Sequence, residues 1–115
     1  MKAIRGAITV KCDSAEEIDI QSARLIKEIL SQNIVNISDI VTIIFTVTDD
    51  ITARNPATAV RETLNLDNVA LLCVKEAKFS NTLPLCIRVL VIAEKISVKD
   101  PIFCYLDGAK NLRQN

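Results

Sequence analysis

One charge inside an apolar run constrains this chain more than any other feature. Arg88 sits in Leu85-Cys86-Ile87-Arg88-Val89-Leu90-Val91-Ile92, where every neighbour is apolar and several are β-branched. That composition reads as a buried strand, and strand alternation puts Cys86, Arg88, Leu90 and Ile92 on one face. A guanidinium keeps its charge at every relevant pH and is costly to bury without an anion beside it. Its partner is therefore a carboxylate of the protein itself or a carboxylate of something the protein binds.

The segments around this strand resolve into alternating elements. Lys2 to Lys11 reads as a first strand, with Gly6 marking a bulge or the close approach of another group. Ser14-Ala15-Glu16-Glu17 forms a capping box, and Ile18, Leu25, Ile26, Ile29 and Leu30 recur at helical spacing up to about Asn33. Asn36 to Asp39 is a connector, and Ile40 to Thr48 a second strand with Ile43, Phe45 and Val47 on one face. Asn55 caps a short helix that starts at Pro56 and ends near Leu64. Val69 to Val74 is a third strand, Lys75 to Pro84 a polar loop, Leu85 to Ala93 the fourth strand and Ile102 to Leu106 the fifth. Asp107-Gly108 turns the chain into a tail, Ala109 to Asn115.

The order β-α-β-α-β-β-β predicts an α+β fold: a mixed β-sheet with helices on one face, in a single domain spanning residues 1–115. A sheet this apolar cannot leave its other face in water cheaply, so association of subunits is expected.

Composition removes whole classes of function. The 14 basic and 14 acidic side chains cancel, which gives no electrostatic reason to bind nucleic acid. The longest apolar runs are too short for a membrane span, and the first residues, Met1-Lys2-Ala3-Ile4-Arg5-Gly6, do not read as a signal peptide, so a cytoplasmic protein is expected. There is no histidine, which excludes imidazole-based triads, proton shuttles and zinc sites built on histidine. Cys12, Cys73, Cys86 and Cys104 form no C-x-x-C pair and are read as reduced. No metal is expected.

Arg5 in the first strand, Arg61 on the short helix, Arg88 and the tail residue Arg113 are the arginines of interest, with Glu76 at the end of the third strand and Tyr105 as the sole tyrosine. Each has an ordinary reading as well. Arg61 and Arg113 can be solvated, Arg88 can pair internally with Glu76, Tyr105 can be packing, and Cys73 has no histidine to activate it. Taken together, several cations with one carboxylate and one phenol suit a small polyanion that carries a hydroxyl. Nothing among them is a convincing general base or nucleophile, so the implied chemistry is positioning and electrostatic stabilisation.

The stretches Ala3-Ile4-Arg5-Gly6-Ala7-Ile8-Thr9-Val10, Pro56-Ala57-Thr58-Ala59-Val60-Arg61-Glu62, Leu72-Cys73-Val74-Lys75-Glu76 and Cys86-Ile87-Arg88-Val89, with Tyr105-Leu106 and Leu112-Arg113, resemble the motifs of the monofunctional AroH-type chorismate mutases, in order and spacing along nearly the whole chain. The resemblance implies a homotrimer of pseudo-α/β-barrel appearance, active sites at subunit interfaces, chorismate as substrate, prephenate as product, and no cofactor. It implies that Arg88 lies beside the ether oxygen of the breaking bond and that Arg5 binds a substrate carboxylate. By the same token Glu76, with Cys73, contacts the ring hydroxyl, and Tyr105 approaches the enolpyruvyl carboxylate. Arg61 and Arg113 close the site, and Ala57, Thr58, Leu72 and Leu112 line it. The chain departs from the family at Asn55, where a bulky residue is usual, at Thr58, often a cation, at Lys75, commonly neutral, and at Asn111 in a tail that is usually apolar.

Two other readings stand beside this one. Rid-type enamine/imine deaminases also bind a carboxylate with an interfacial arginine in a related trimer, but the late P-x-x-A-R segment is missing here. A non-catalytic module that binds an aromatic-pathway metabolite and regulates a partner would tolerate Thr58 in place of a cation.

Overall fold

The computed structural model describes residues 1–112. Its elements follow the expected order: β1 (Lys2–Thr9), α1 (Ala15–Asn33), β2 (Ile40–Val47), α2 (Pro56–Leu64), β3 (Ala70–Lys75), β4 (Cys86–Ala93) and β5 (Cys104–Leu106). The strands form a 5-stranded mixed sheet in the order β3-β2-β4-β1-β5. β4 runs antiparallel to both β1 and β2, whereas β3 joins β2 and β5 joins β1 in parallel.

Alternation sorts each strand into two sets. Ile4 and Ile8 of β1, Ile43 and Phe45 of β2, and Ile87, Val89 and Val91 of β4 are buried in one core with Ile18, Leu25, Ile26 and Ile29 of α1 and Val60 of α2. Both helices therefore cover the same face. Gly6 marks close approach, not a bulge: β1 pairs with β4 without a register shift, and a Cβ on Gly6 would stand 2.7 Å from Ile29 Cδ1. The irregularity in the sheet lies elsewhere, between Ile40 and Thr42 of β2.

Several local readings need adjusting. β1 stops at Thr9, two residues short of Lys11, and β3, β4 and β5 begin at Ala70, Cys86 and Cys104. β4 starts late because Leu85 has φ 49°, a left-handed conformation that a strand cannot include. The capping box is half made. Ser14 Oγ accepts from Glu17 N at 3.1 Å, but the Glu17 carboxylate accepts from Lys11 N at 2.7 Å instead of returning to Ser14. Asn55 caps α2 as expected, its Oδ1 accepting from Ala57 N at 2.9 Å. The four cysteines are free thiols, with Cys12 exposed and Cys86 and Cys104 buried.

Candidate active site

Among the described residues of one chain, the face of the sheet opposite the helices is covered only at one end, where Ala109 and Leu112 pack on Ala7 and Cys86. Strand register puts Val74, Thr46, Arg88, Ala7 and Tyr105 in one row across it, and Leu72, Ile44, Leu90 and Arg5 in the next. Arg88 and Tyr105 are thus aligned on either side of Ala7, with Arg5 one row away. The strand read as buried is covered on one face within the single chain: Ile87, Val89, Val91 and Ala93 are buried, but the Arg88 side chain is 43% exposed. The cause is the one-sided placement of the helices.

Arg88 does have a protein carboxylate beside it. Its Nε lies 3.0 Å from Glu76 Oε1, with the Glu76 side chain only 16% exposed. The approach is off the hydrogen-bond direction, so the contact is ionic and Nε has no directed hydrogen-bond partner. The directed bond to Glu76 comes from Thr46, whose Oγ1 donates to the same Oε1 at 2.9 Å. The Glu76 backbone is tied to the sheet as well, its N–H donating to Val47 O at 2.9 Å. Arg5 stands over the Phe103 ring, 5.7 Å from its centroid, which steadies the guanidinium without neutralising it. Tyr105 and Leu112 pack on Ala7, Cys86 and Ala109, so the start of the tail lies on this open face. Gly108 N donates to Thr9 Oγ1 at 2.9 Å, and Arg24 pairs with Asp107 at 2.7 Å, fixing the turn from which the tail departs.

A second cluster lies apart from the first. Ala57, Thr58 and Arg61 of α2 face Leu72 and Cys73 of β3 across a groove of about 390 Å³ at the outer edge of the sheet. Pro56 at the start of α2 and the Asn55 cap set its position. Arg61 is half exposed and engages only loosely with Glu62 at 3.8 Å and Asp67 at 3.7 Å. Cys73 pairs in register with Phe45 and packs against the helix-covered core, on the opposite side from the Arg88 row. Burial pushes its thiol up from the ordinary value, so it is a poor nucleophile.

One chain therefore brings together Arg5, Glu76, Arg88, Tyr105 and Leu112 on the open face, and Ala57, Thr58, Arg61, Leu72 and Cys73 at the edge groove. Leu72 belongs to both by register and groove, whereas Cys73 faces the helix-covered side, opposite the Arg88 row. Arg113 lies outside the described residues. Sequence reasoning missed Thr46 and Phe103. Thr46 is a polar residue at the strand position facing Arg88, but this is visible only once the register is known.

The family model for chorismate mutase type I matches residues 1–115. The chain belongs to the type I chorismate mutase family. Chorismate mutase AroH of Bacillus subtilis (strain 168) is 33% identical over 114 residues, covering 98% of this chain and 90% of that protein. Chorismate mutase AroH of Thermus thermophilus is 36% identical over 115 residues, covering 98% of this chain and 93% of that one. The solved chorismate mutase from Clostridium thermocellum superposes with a TM-score of 0.90 at 39% identity, covering 96% of this chain and 98% of its own. Family, relatives and fold agree, and chorismate mutase is the function of the chain. Among the described residues, no acidic, cysteine or histidine cluster could hold a metal ion, and no helix is long and apolar enough to cross a membrane.

Proposed function

We propose that the chain rearranges chorismate to prephenate as one domain, residues 1–115, at sites shared between copies of a cytoplasmic homotrimer. The open face of one copy meets the edge groove of the next. The observation that carries this reading is the separation just described. Arg5, Glu76, Arg88 and Tyr105 lie on the open face, while Ala57, Thr58 and Arg61 lie with Cys73 at the edge groove. The half-exposed apolar residues beside both, Leu72 at 55% and Val74 at 41%, supply a reason for the surfaces to close on each other.

In such a site Arg5 and Tyr105 hold the substrate carboxylates, and Glu76 accepts the ring hydroxyl with Cys73 of the neighbouring copy nearby. Arg61 of that neighbour and Arg113 complete the charge. Ala57, Thr58, Leu72 and Leu112 shape the wall. The reaction is an intramolecular [3,3] rearrangement, with no proton to move. Its transition state is a compact chair with negative charge growing on the ether oxygen. A guanidinium fixed by a neighbouring carboxylate and aimed at that oxygen binds the transition state better than the substrate. Arg88 is that group.

The test is complementation, followed by the ultraviolet loss of chorismate. Arg88→Ala disables the open face and Arg61→Glu the groove. Subunits of the two variants, exchanged and reassembled, should recover activity above either alone, because some sites then draw an intact surface from each. Sedimentation should show a trimer for each variant. No recovery on exchange between trimers would mean that each site lies within one chain.

A further inference from the structure

Resting on the reading of Glu76 as the group that meets the ring hydroxyl, we propose that Thr46 is a positioning residue that keeps Glu76 and Arg88 from closing into a two-pronged pair. A carboxylate and a guanidinium left together prefer a two-pronged pair, which takes up both carboxylate oxygens and the fork of the arginine. That pair is not formed here. Arg88 Nε reaches Oε1 at 3.0 Å off the hydrogen-bond direction. Thr46 Oγ1 donates to that same oxygen at 2.9 Å.

The placement follows from the sheet. Thr46 lies opposite Arg88 on one side and Val74 on the other, so its hydroxyl stands between the strand of the arginine and the strand that leads to Glu76. The backbone of Glu76 is pinned to Val47 O at 2.9 Å. With the backbone fixed, the side chain keeps only its rotation, and the threonine hydroxyl sets it. Both described contacts fall on Oε1, which leaves Oε2 able to accept from a ligand hydroxyl. Threonine also suits the position locally, because a β-branched residue holds its hydroxyl stiffly in a strand.

Thr46→Val keeps the shape and removes the donor, while Thr46→Ser keeps the donor. Thr46→Val should lower kcat/KM about tenfold, as expected when a hydrogen bond to a charged group is lost, with the melting temperature unchanged or slightly raised. Thr46→Ser should stay within about threefold of the parent protein, a change under 1 kcal/mol. A merely structural threonine would act in any background, so the deciding comparison is made in Glu76→Ala. There, with no carboxylate to hold, Thr46→Val should cost nothing further. If Glu76→Ala by itself leaves kcat/KM unchanged, the reading of Glu76 fails. If Glu76→Ala is costly, then a neutral Thr46→Val, an equal loss in both backgrounds, or no recovery in Thr46→Ser overturns the role of Thr46 alone.

Discussion

The two faces of the sheet are made from the same strands and obey different rules. On the helix-covered face, Ile4, Ile8, Ile43, Phe45, Ile87 and Val91 are buried within one chain, where they are needed to hold the fold together. On the open face the alternate residues of those strands, Arg5, Thr46 and Arg88, form a charged and polar patch over two neighbouring rows that stays partly or fully exposed. Stability is thus assigned to one set of positions and chemistry to the other, often in adjacent residues such as Phe45 and Thr46. Substitutions one residue apart should therefore fail in different ways.

The largest expected effect is on the covered face. Phe45 is fully buried in the middle of the core. Phe45→Ala should destabilise the chain by about 3–5 kcal/mol in chemical denaturation, while Phe45→Leu should cost less and leave kcat nearly intact. A large loss of kcat in a folded Phe45→Leu protein would break the division between the faces.

Arg88 tests the other face. Replacement by citrulline keeps the shape and the Nε–H, exchanges one terminal NH2 donor for a carbonyl oxygen, and removes the charge. The expected fall in kcat is about 10²–10³, or roughly 3–4 kcal/mol, with a smaller change in KM and little change in melting temperature. If Arg88 served mainly as the internal partner of Glu76, the melting temperature should fall instead, because a carboxylate would be left unpaired. Near-normal kcat in a folded citrulline variant would refute the electrostatic mechanism.

Much of this division was legible before the fold was known. Period-two alternation separated Ile43 and Phe45 from their neighbours, and Asn55-Pro56 placed the start of α2 correctly. What alternation could not supply was which strand lies beside which. The order β3-β2-β4-β1-β5 puts β4 between β2 and β1, so Thr46 meets Arg88 across 42 positions of sequence, the difference between the two residue numbers. The one-sided cover of β4 follows from helices placed on one face, although Leu90 and Ile92 are as apolar as the core residues and their face is open in one chain. An apolar run of that kind fits equally a strand buried by its own chain and one awaiting another copy.

Cys86 marks where the two faces blur. It has the open-face parity of Arg88, yet it is buried beside Ala7 and Ala109. Burial raises its thiol from 9.0 to about 11, against a smaller lowering by Arg88. Cys104 is also pushed up to about 11 by burial. An acid raised on folding gives stability that is present in full below its unfolded value and lost as pH rises towards the folded one. Unfolding midpoints should therefore fall between about pH 9 and pH 11, and Cys86→Ala should flatten that slope. At neutral pH a thiol reagent should label the exposed Cys12 first and reach Cys86 and Cys104 only on unfolding. Fast labelling of Cys86 would place it with the open row and not with the core.

The smallest effect concerns two strained residues, one at each kind of place. Ile34 closes α1 with φ 51°, and Leu85 precedes β4 with φ 49°. A non-glycine residue in the left-handed region costs about 1–2 kcal/mol, and a β-branched one is especially rare there. Ile34 is 60% exposed, so its side chain contributes little burial in return. Ile34→Gly removes the strain and adds about 0.5–1 kcal/mol of chain entropy to be lost on folding. A net gain of about 0.5 kcal/mol is expected, with kcat unchanged. Leu85 differs because its neighbours need it. Its side chain packs against the core, its N–H donates to the Asp50 carboxylate at 3.0 Å, and its carbonyl accepts from Val10 N at 2.9 Å, three residues before Arg88. Leu85→Gly should relieve the same strain yet lower stability, through lost packing, and lower kcat, through a looser Arg88. If both glycine variants were equally stabilising and equally active, strain beside the open face would have no part in holding Arg88 where it acts.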